Sequence, residues 1–444
     1  MHSTALRHIP SARRSARRSA RHSARRAAGS ARLLGALALL APLVLGAQGM
    51  PIPLADPAVR RAMDAMAPLQ AWTLDQQVSI CEIPAPPFKE QARAEEFRRR
   101  MIGFGYANTR IDSEGNVIAE IGRGDGPTVL IAGHLDTVFP EGTDVRTTRS
   151  GDRVAGPGIG DNCRGLAVVL TLARVLKEQR LEPKGRLIMV GNVGEEGPGN
   201  LRGVRHLFTK EFAGKIDYFI SVDGAGGGAI TARAVGSHRY LVSFEGPGGH
   251  SYGAFGMANP MHAMGRAIAN IAELQVPVRP KVTFNVGIVR GGTSVNTITP
   301  LAQMEIDMRS ESAAELSAID AKIRAAIETG AAAERARWPN SRAGITVKFD
   351  TIGIRPTGGQ SDDAPIVRTA WAAVEALGWL PATVASSTDA NLPIAMGIPA
   401  ITINGGGRST GAHGTEEAYQ ELPDSYKGPQ LALLIVAALV GVAR

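Results

Sequence analysis

A chain of 444 residues exceeds what one hydrophobic core ordinarily organises, so two domains are expected. With 44% apolar and 20% charged residues the composition is globular, which excludes a disordered or fibrous chain. The formal charge of +8 suggests nucleic acid, but residues 1–47 hold nine of the 49 cationic side chains and none of the 41 acids. The remainder is therefore close to neutral, and nucleic acid is excluded as its partner.

Residues 1–47 read as a leader. An arginine-rich stretch from Arg7 to Arg32 precedes an apolar run, Leu33 to Ala47, that ends in small residues before Gln48-Gly49. A charged region, an apolar region of about 7–15 residues and a small-residue end describe a secretory signal. The run is shorter than the roughly 20 residues of a membrane span and contains Pro42. A periplasmic or secreted protein is expected, with no stable membrane insertion once the leader is removed. An uncleaved anchor, an organelle-targeting segment and a later start site are the alternatives. Cys81 and Cys163 are too few for a disulfide framework. Export would permit a bond between them, but both are read as buried small hydrophobes.

From about 57 to 105 the pattern is helical. Asn116–Ile121 and Thr128–Ala132 read as strands, Gly165–Glu178 as a helix, Arg186–Val193 as a strand followed by a loop and a helix to about Phe208, and Tyr218–Val222 as a strand. Strands alternating with helices predict a mostly parallel sheet flanked by helices. The pattern then changes. Tyr240–Glu245, Val282–Val289, Gln303–Arg309 and Ile345–Thr351 read as half-exposed strands, with one helix opened by Asn259-Pro260 and another over Ala313–Arg337. Two helices against a small antiparallel sheet predict an α+β insert. Ala364–Leu377 and Ala400–Ile403 then return to helix and buried strand. The expected organisation is a catalytic α/β domain over 48–236 and 353–444, interrupted by a lid domain over 237–352.

The chemistry lies where these strands end. His134-Leu135-Asp136 follows the strand at 128–132, with His134 as a metal ligand and Asp136 as the carboxylate that orients its ring. Asp161 sits in a glycine-rich loop, Gly156 to Asn162, where a carboxylate can give one oxygen to each of two cations. Glu195-Glu196 follows the strand at 186–193. Adjacent acids at a buried strand end repel unless a cation compensates, so one of the pair reads as a ligand and its neighbour as general base toward a metal-activated water. Asp223 ends the apolar run Phe219–Val222, and His413 lies in the loop Gly411-Ala412-His413-Gly414. Each signal alone fits a capped turn or a solvated loop. Together they match the rule that open α/β sheets bind ligands beyond the carboxyl ends of their strands. Mixed nitrogen and oxygen ligation suits zinc, with cobalt or manganese as substitutes.

The order of these motifs resembles the dinuclear zinc exopeptidases and deacylases, a family that includes tripeptide aminopeptidase, glutamate carboxypeptidase, acetylornithine deacetylase and succinyl-diaminopimelate desuccinylase. Gly133-His134-Leu135-Asp136-Thr137-Val138 matches one of that family's most specific signatures, and the resemblance runs from about residue 70 onward. The resemblance implies a zinc-exopeptidase-like catalytic domain with a ferredoxin-like lid and dimerisation domain. It implies two zinc ions, one held by His134 and Asp223 and one by Glu196 and His413, with Asp161 bridging, a cis peptide after it, and Glu195 as the general base. It also implies that His250, in Gly248-Gly249-His250-Ser251, polarises the scissile carbonyl, that Asn296 holds the substrate or its tetrahedral intermediate, and that Arg309 binds a substrate carboxylate. The run Tyr252 to Met257 is longer than the family's. A small peptide is the expected substrate, an N-acyl amino acid the alternative, and a homodimer through the lid the expected assembly. A non-catalytic binding protein would have lost ligands, and none of the six metal-site positions is lost.

Overall fold

The computed structural model describes residues 49–339, 341 and 344–443; the segment read as a leader lies outside them. The main sheet has nine strands. In spatial order they are Arg110–Ile111, Val117–Ile121, Arg186–Asn192, Thr128–His134, Tyr218–Val222, Ala400–Ile403, Ala229–Ala234 and Gly358–Gly359, with Ala382–Ser386 also paired to Ala229–Ala234. The four strands from Arg186–Asn192 to Ala400–Ile403 run parallel. On both sides the sheet turns antiparallel. Parallel pairing is thus concentrated at the centre and the sheet is mixed. At one edge the reason is plain, since a loop as short as 112–116 makes a hairpin, whereas parallel strands need a long crossover.

Val129, Leu130, Ile131 and Ala132 are all fully buried, which explains why their strand reads as an unbroken apolar run. Helices Cys163–Glu178, Lys427–Val440 and Pro365–Ala376 cover one face side by side, with helix Pro57–Met66 packed on the outside of the first two. The helix at 427–440 was not anticipated. From Leu431 to Val440 its sequence is apolar on every side, so it shows no amphipathic stripe, and all but its first residue and Ala438 are buried. Among the described residues no helix is long and apolar enough to cross a membrane.

A small four-stranded sheet, also unanticipated, joins Thr148–Ser150, Arg153–Ala155, Ala418–Gln420 and Arg408–Thr410. Its strands have three residues each, too short to show alternation. It matters for the site, because pairing Ala418 with Ala155 brings the hairpin that carries His413 beside the loop that carries Asp161.

The second large sheet contains Gly236–Glu245, Val282–Gly291, Leu301–Ser310 and Thr346–Arg355, all antiparallel. Numbered along the chain its order is 4-1-3-2, the β-α-β-β-α-β arrangement of ferredoxin-like folds. Helices Pro260–Ala272 and Ala313–Arg337 cover one face, around Val242, Phe244, Met304, Met308, Ile323 and Ile327. The first helix begins as expected: Pro260 occupies the position where an N–H would have no partner, and the Asn259 side chain accepts Met261 N–H at 2.9 Å.

The cysteine reading needs correction. Cys81 and Cys163 are buried, but they are bonded to each other, with Cα atoms 5.4 Å apart. Eighty-two positions separate them in sequence, and only the packing of helix Gln70–Cys81 on helix Cys163–Glu178 brings them together.

Candidate metal centre

Three parallel strands end side by side, and each delivers acids or a histidine. His134 closes its strand, Asp223 follows Val222, and Glu195-Glu196 follow the strand that ends at Asn192. Asp161 precedes helix Cys163–Glu178, and its peptide bond to Asn162 is cis, as the resemblance implied. His413 comes from the hairpin at the far end of the chain, with a left-handed φ of 68° between Gly411 and Gly414.

Asp161 occupies the middle. Its Oδ1 is 3.1 Å from His134 Nε2, and its Oδ2 is 3.3 Å from His413 Nε2. On the first side Asp223 Oδ1 lies 3.8 Å from His134 Nε2; on the second, Glu196 Oε1 lies 3.3 Å from His413 Nε2. Ligand atoms of His134, Asp161 and Glu196 all fall within 4.8 Å of one another. All five donors named from the sequence are brought together, in two groups that share one carboxylate.

The electrostatics fit a cation site. Burial alone would lower the His134 pKa, but Asp136, Asp161 and Asp223 outweigh it and hold the ring well above its usual range. Contacts with Asp161 and Glu196 raise His413 to about 10. Burial and the neighbouring Asp161 raise Asp223, and burial raises Glu195 against the pull of Arg355. Carboxylates this crowded and this buried need positive charge beside them. Two imidazole nitrogens and three carboxylates suit divalent zinc, cobalt or manganese.

Asp136 acts differently from expectation. His134 Nδ1 donates to the Asp136 backbone carbonyl at 3.1 Å, and the Asp136 carboxylate is farther away at 3.6 Å. That carboxylate instead accepts the N–H groups of Glu195 at 3.0 Å and Glu196 at 2.8 Å. Beyond the end of a strand these two amides have no ladder partner, and a buried carboxylate satisfies both. Asp136 therefore sets the backbone of the two glutamates, and a main-chain oxygen fixes the ring of His134.

Sequence reasoning missed several supporting residues. Arg355, at the end of its strand, donates to Glu195 Oε1 at 2.8 Å and to the Glu195 carbonyl. Asn162 accepts Gly165 N–H at 3.0 Å and donates to Val222 O at 2.9 Å, tying the Asp161 loop to the strand of Asp223. Arg93 is fully buried and donates to the carbonyls of Cys81, Ile83 and Leu135. No pattern marks Arg355 or Arg93, each a single cation in an ordinary stretch. Glu417 was visible as an acid in the His413 loop.

His250, Asn296 and Arg309 lie on the insert, and among the described residues none is hydrogen-bonded to the five donors. The His250 ring accepts the N–H groups of Tyr252 and Gly253, each at 3.2 Å, which caps the turn that lengthens this segment. Asn296 is beside it: its carbonyl accepts Ser251 N–H at 2.9 Å, and its Oδ1 accepts the Ser294 hydroxyl at 2.6 Å. Arg309 pairs with Asp307 at 2.8 Å, and Asp307 also pairs with Arg239 at 2.7 Å.

An α/β sheet with a candidate metal centre at its strand ends, interrupted by a ferredoxin-like insert, defines a metallohydrolase-type architecture. Residues 130–437 match peptidase family M20/M25/M40, and the chain belongs to that family. Carboxypeptidase G2 of a Pseudomonas strain is 28% identical over 216 residues, 46% of this chain and 51% of that protein. Succinyl-diaminopimelate desuccinylase of Corynebacterium glutamicum is 25% identical over 238 residues, 52% of this chain and 64% of that protein. The matched region thus spans about half to two-thirds of these relatives. Among solved structures, a Staphylococcus aureus tripeptidase superimposes with a TM-score of 0.68 at 19% identity, covering 84% of this chain and 98% of that one. Human carnosine dipeptidase 1 gives 0.66 at 13% identity, covering 86% and 99%.

Proposed function

We propose that the protein is a dinuclear-metal hydrolase of amide bonds, of the exopeptidase type, acting on small peptides. The observation that carries this reading is the position of Asp161, with one carboxylate oxygen toward His134 and the other toward His413. His134 and Asp223 would hold one ion, Glu196 and His413 the other, with Asp161 shared, and zinc suits the donors. Such a pair of ions, when bound, lowers the pKa of water and polarises an amide carbonyl. Glu195 takes the proton of the attacking water and returns it to the leaving nitrogen. Asp136 keeps Glu195 and Glu196 in place through their N–H groups. His250 and Asn296, once the insert approaches, donate to the carbonyl oxygen. Arg309 receives a free substrate carboxylate.

Two wider proposals go with this. The edge strand Val282–Gly291 exposes Ile288 and Val289 beside exposed Val295, and an open ten-residue edge of this kind favours pairing with a second copy. Export is supported by the leader-like composition of residues 1–47 and by the disulfide between Cys81 and Cys163, a bond that persists in oxidising compartments.

The test is to load the protein with zinc and screen it against dipeptides, tripeptides and N-acyl amino acids. Peptide hydrolysis with about two zinc ions per chain is expected. Cleavage of acyl substrates alone would favour a deacylase, for which the similarity to the desuccinylase speaks. A folded, zinc-loaded protein that cleaves none of them would overturn the proposal.

A further inference from the structure

The loop that carries the two glutamates is held from the insert at three points. Arg355 reaches Glu195, Arg239 donates to Gly197 O at 3.1 Å, and Ile354 N–H donates to Asn200 Oδ1 at 2.9 Å. All three come from the two strands by which the chain enters and leaves the insert, Gly236–Glu245 and Thr346–Arg355. These strands pair at their crossing ends, Arg355 opposite Ser237. One fully buried side chain pins both crossings: Asn391 Nδ2 donates to Val235 O at 2.8 Å and to Pro356 O at 3.1 Å, while its Oδ1 accepts Thr388 N–H at 2.9 Å.

The Arg355 contact is the most specific of the three. Its guanidinium is 4% exposed and the Glu195 side chain 5%. Nη1 donates to Glu195 Oε1 at 2.8 Å and to Ser387 Oγ at 3.0 Å, and Nη2 reaches both the Glu195 carbonyl and, at 3.4 Å, Oε2. A planar fork that grips a carboxylate and the main chain of the same residue fixes that residue in both torsion and position. An exposed ion pair would do neither, because water would compete for both partners.

We propose that Arg355 is the positioning residue of Glu195, tying its carboxylate to the strand by which the chain leaves the insert, so that movement of the insert about its two crossings moves Glu195. The inference rests on the reading of Glu195 as general base, and it assigns a means by which the position of the insert decides whether that base is in place. Asn391 defines the pivot, and Arg355 carries the displacement to the site.

The test compares Arg355→Lys, Arg355→Met and Asn391→Ala with the wild type in zinc content, steady-state kinetics on the peptide found by the screen, and amide hydrogen exchange. Lysine keeps the charge and loses the fork, so it stays informative if the methionine variant fails to fold. In Arg355→Lys kcat should fall about 100-fold, the cost of a small misplacement of a reacting group, with KM and zinc content near those of the wild type. Asn391→Ala, at a side chain whose hydrogen bonds go to Val235, Pro356 and Thr388 rather than to Glu195, should lower kcat in the same sense. Exchange in Arg355→Lys should quicken both at residues 193–197 and at 352–358, a readout that needs no substrate. If the wild type cleaves nothing, the hydrolase reading fails while exchange still decides the coupling. An unchanged kcat, a loss of zinc that accounts for the lost activity, or exchange altered in only one of the two segments overturns it.

Discussion

Glu417 accepts the backbone N–H of Asp161 at 3.0 Å, from a position only four residues beyond His413. The same carboxylate accepts Gly160 N–H at 3.0 Å and Gly158 N–H at 3.1 Å. Burial and the charge of Asp161 push Glu417 up to about 7, against the pull of these donors. One buried side chain thus joins the loop of the shared carboxylate to the loop of the last histidine. Glu417→Ala leaves three N–H groups without their acceptor, at about 1–3 kcal/mol for each that stays buried. Zinc affinity, measured by competition with a chelator, should fall about 10–100-fold, as is usual when a residue behind a metal ligand is lost. Unaltered affinity in a folded variant would reduce Glu417 to a packing role.

The metal-free protein should lose stability as pH rises from about 4 to 7. Asp389 is fully buried, receives Asn192 Nδ2 at 2.8 Å, and is pushed by burial to about 7. Glu417 stands at about the same value. Unfolded, these groups titrate near about 3.9 and 4.3, so between those values and 7 the folded chain holds the extra protons. Their contribution is complete below the unfolded pKa and is lost as pH climbs through the folded one, with about 1.4 kcal/mol at stake for every tenfold difference in proton affinity between the two states. Raised His413 has the same sign at higher pH, where its contribution fades on the way to about 10. Glu96, held at about 2 by Arg99 and Arg100, acts oppositely, but only below its usual range. Urea midpoints of chelated protein should therefore descend from pH 5 to 7, and Asp389→Asn should flatten the descent. A rising midpoint would show that these carboxyls ionise freely in the fold.

The five donors were legible because each follows an apolar strand or sits in a glycine loop, where a buried acid or histidine is conspicuous. Tyr218–Val222, Ala400–Ile403 and Ala313–Arg337 were read with the bounds they have, since their apolar runs and caps are local signals. What escaped depends on distant contacts. The Lys427–Val440 helix lacks a polar face, and the small sheet pairs three-residue strands from opposite ends of the chain. Arg355 looks like any strand-end cation until the fold brings Glu195 to it. Asp136 was read for the right residue pair and the wrong atom: its neighbour His134 prefers the main-chain oxygen, and no spacing rule distinguishes the two.

The disulfide should stabilise the site as well as the fold. It closes a loop of 82 residues, and the chain-entropy estimate for such a loop is about 4.5 kcal/mol, of which real proteins often keep about 2–4. Cys163 opens the helix that follows Asp161 and Asn162, so the bond anchors this segment to helix Gln70–Cys81. Cys81→Ser with Cys163→Ser should lower the melting temperature and weaken zinc retention together. A variant that melts earlier yet holds zinc as tightly as the wild type would confine the bond to global stability.

Gly165 is the glycine on which the geometry between Asp161 and Asp223 depends most directly. A Cβ there would run into the Asn162 amide oxygen and the Val222 carbonyl. Both are engaged: Asn162 Oδ1 accepts Gly165 N–H at 3.0 Å, and Asn162 Nδ2 donates to Val222 O at 2.9 Å. Gly165→Ala must displace that amide, with an overpacking cost of about 1–3 kcal/mol and a loosened hold on the shared carboxylate. Gly265 supplies the contrast, because it lies on the exposed side of helix Pro260–Ala272 and a Cβ there meets nothing within 4 Å. Gly265→Ala should stabilise the protein by up to about 1 kcal/mol through helix propensity. Thermal melts of the two variants should therefore move in opposite directions, with zinc content falling only in Gly165→Ala. A Gly165→Ala protein with wild-type zinc content would show that Asn162 does not set the position of Asp161.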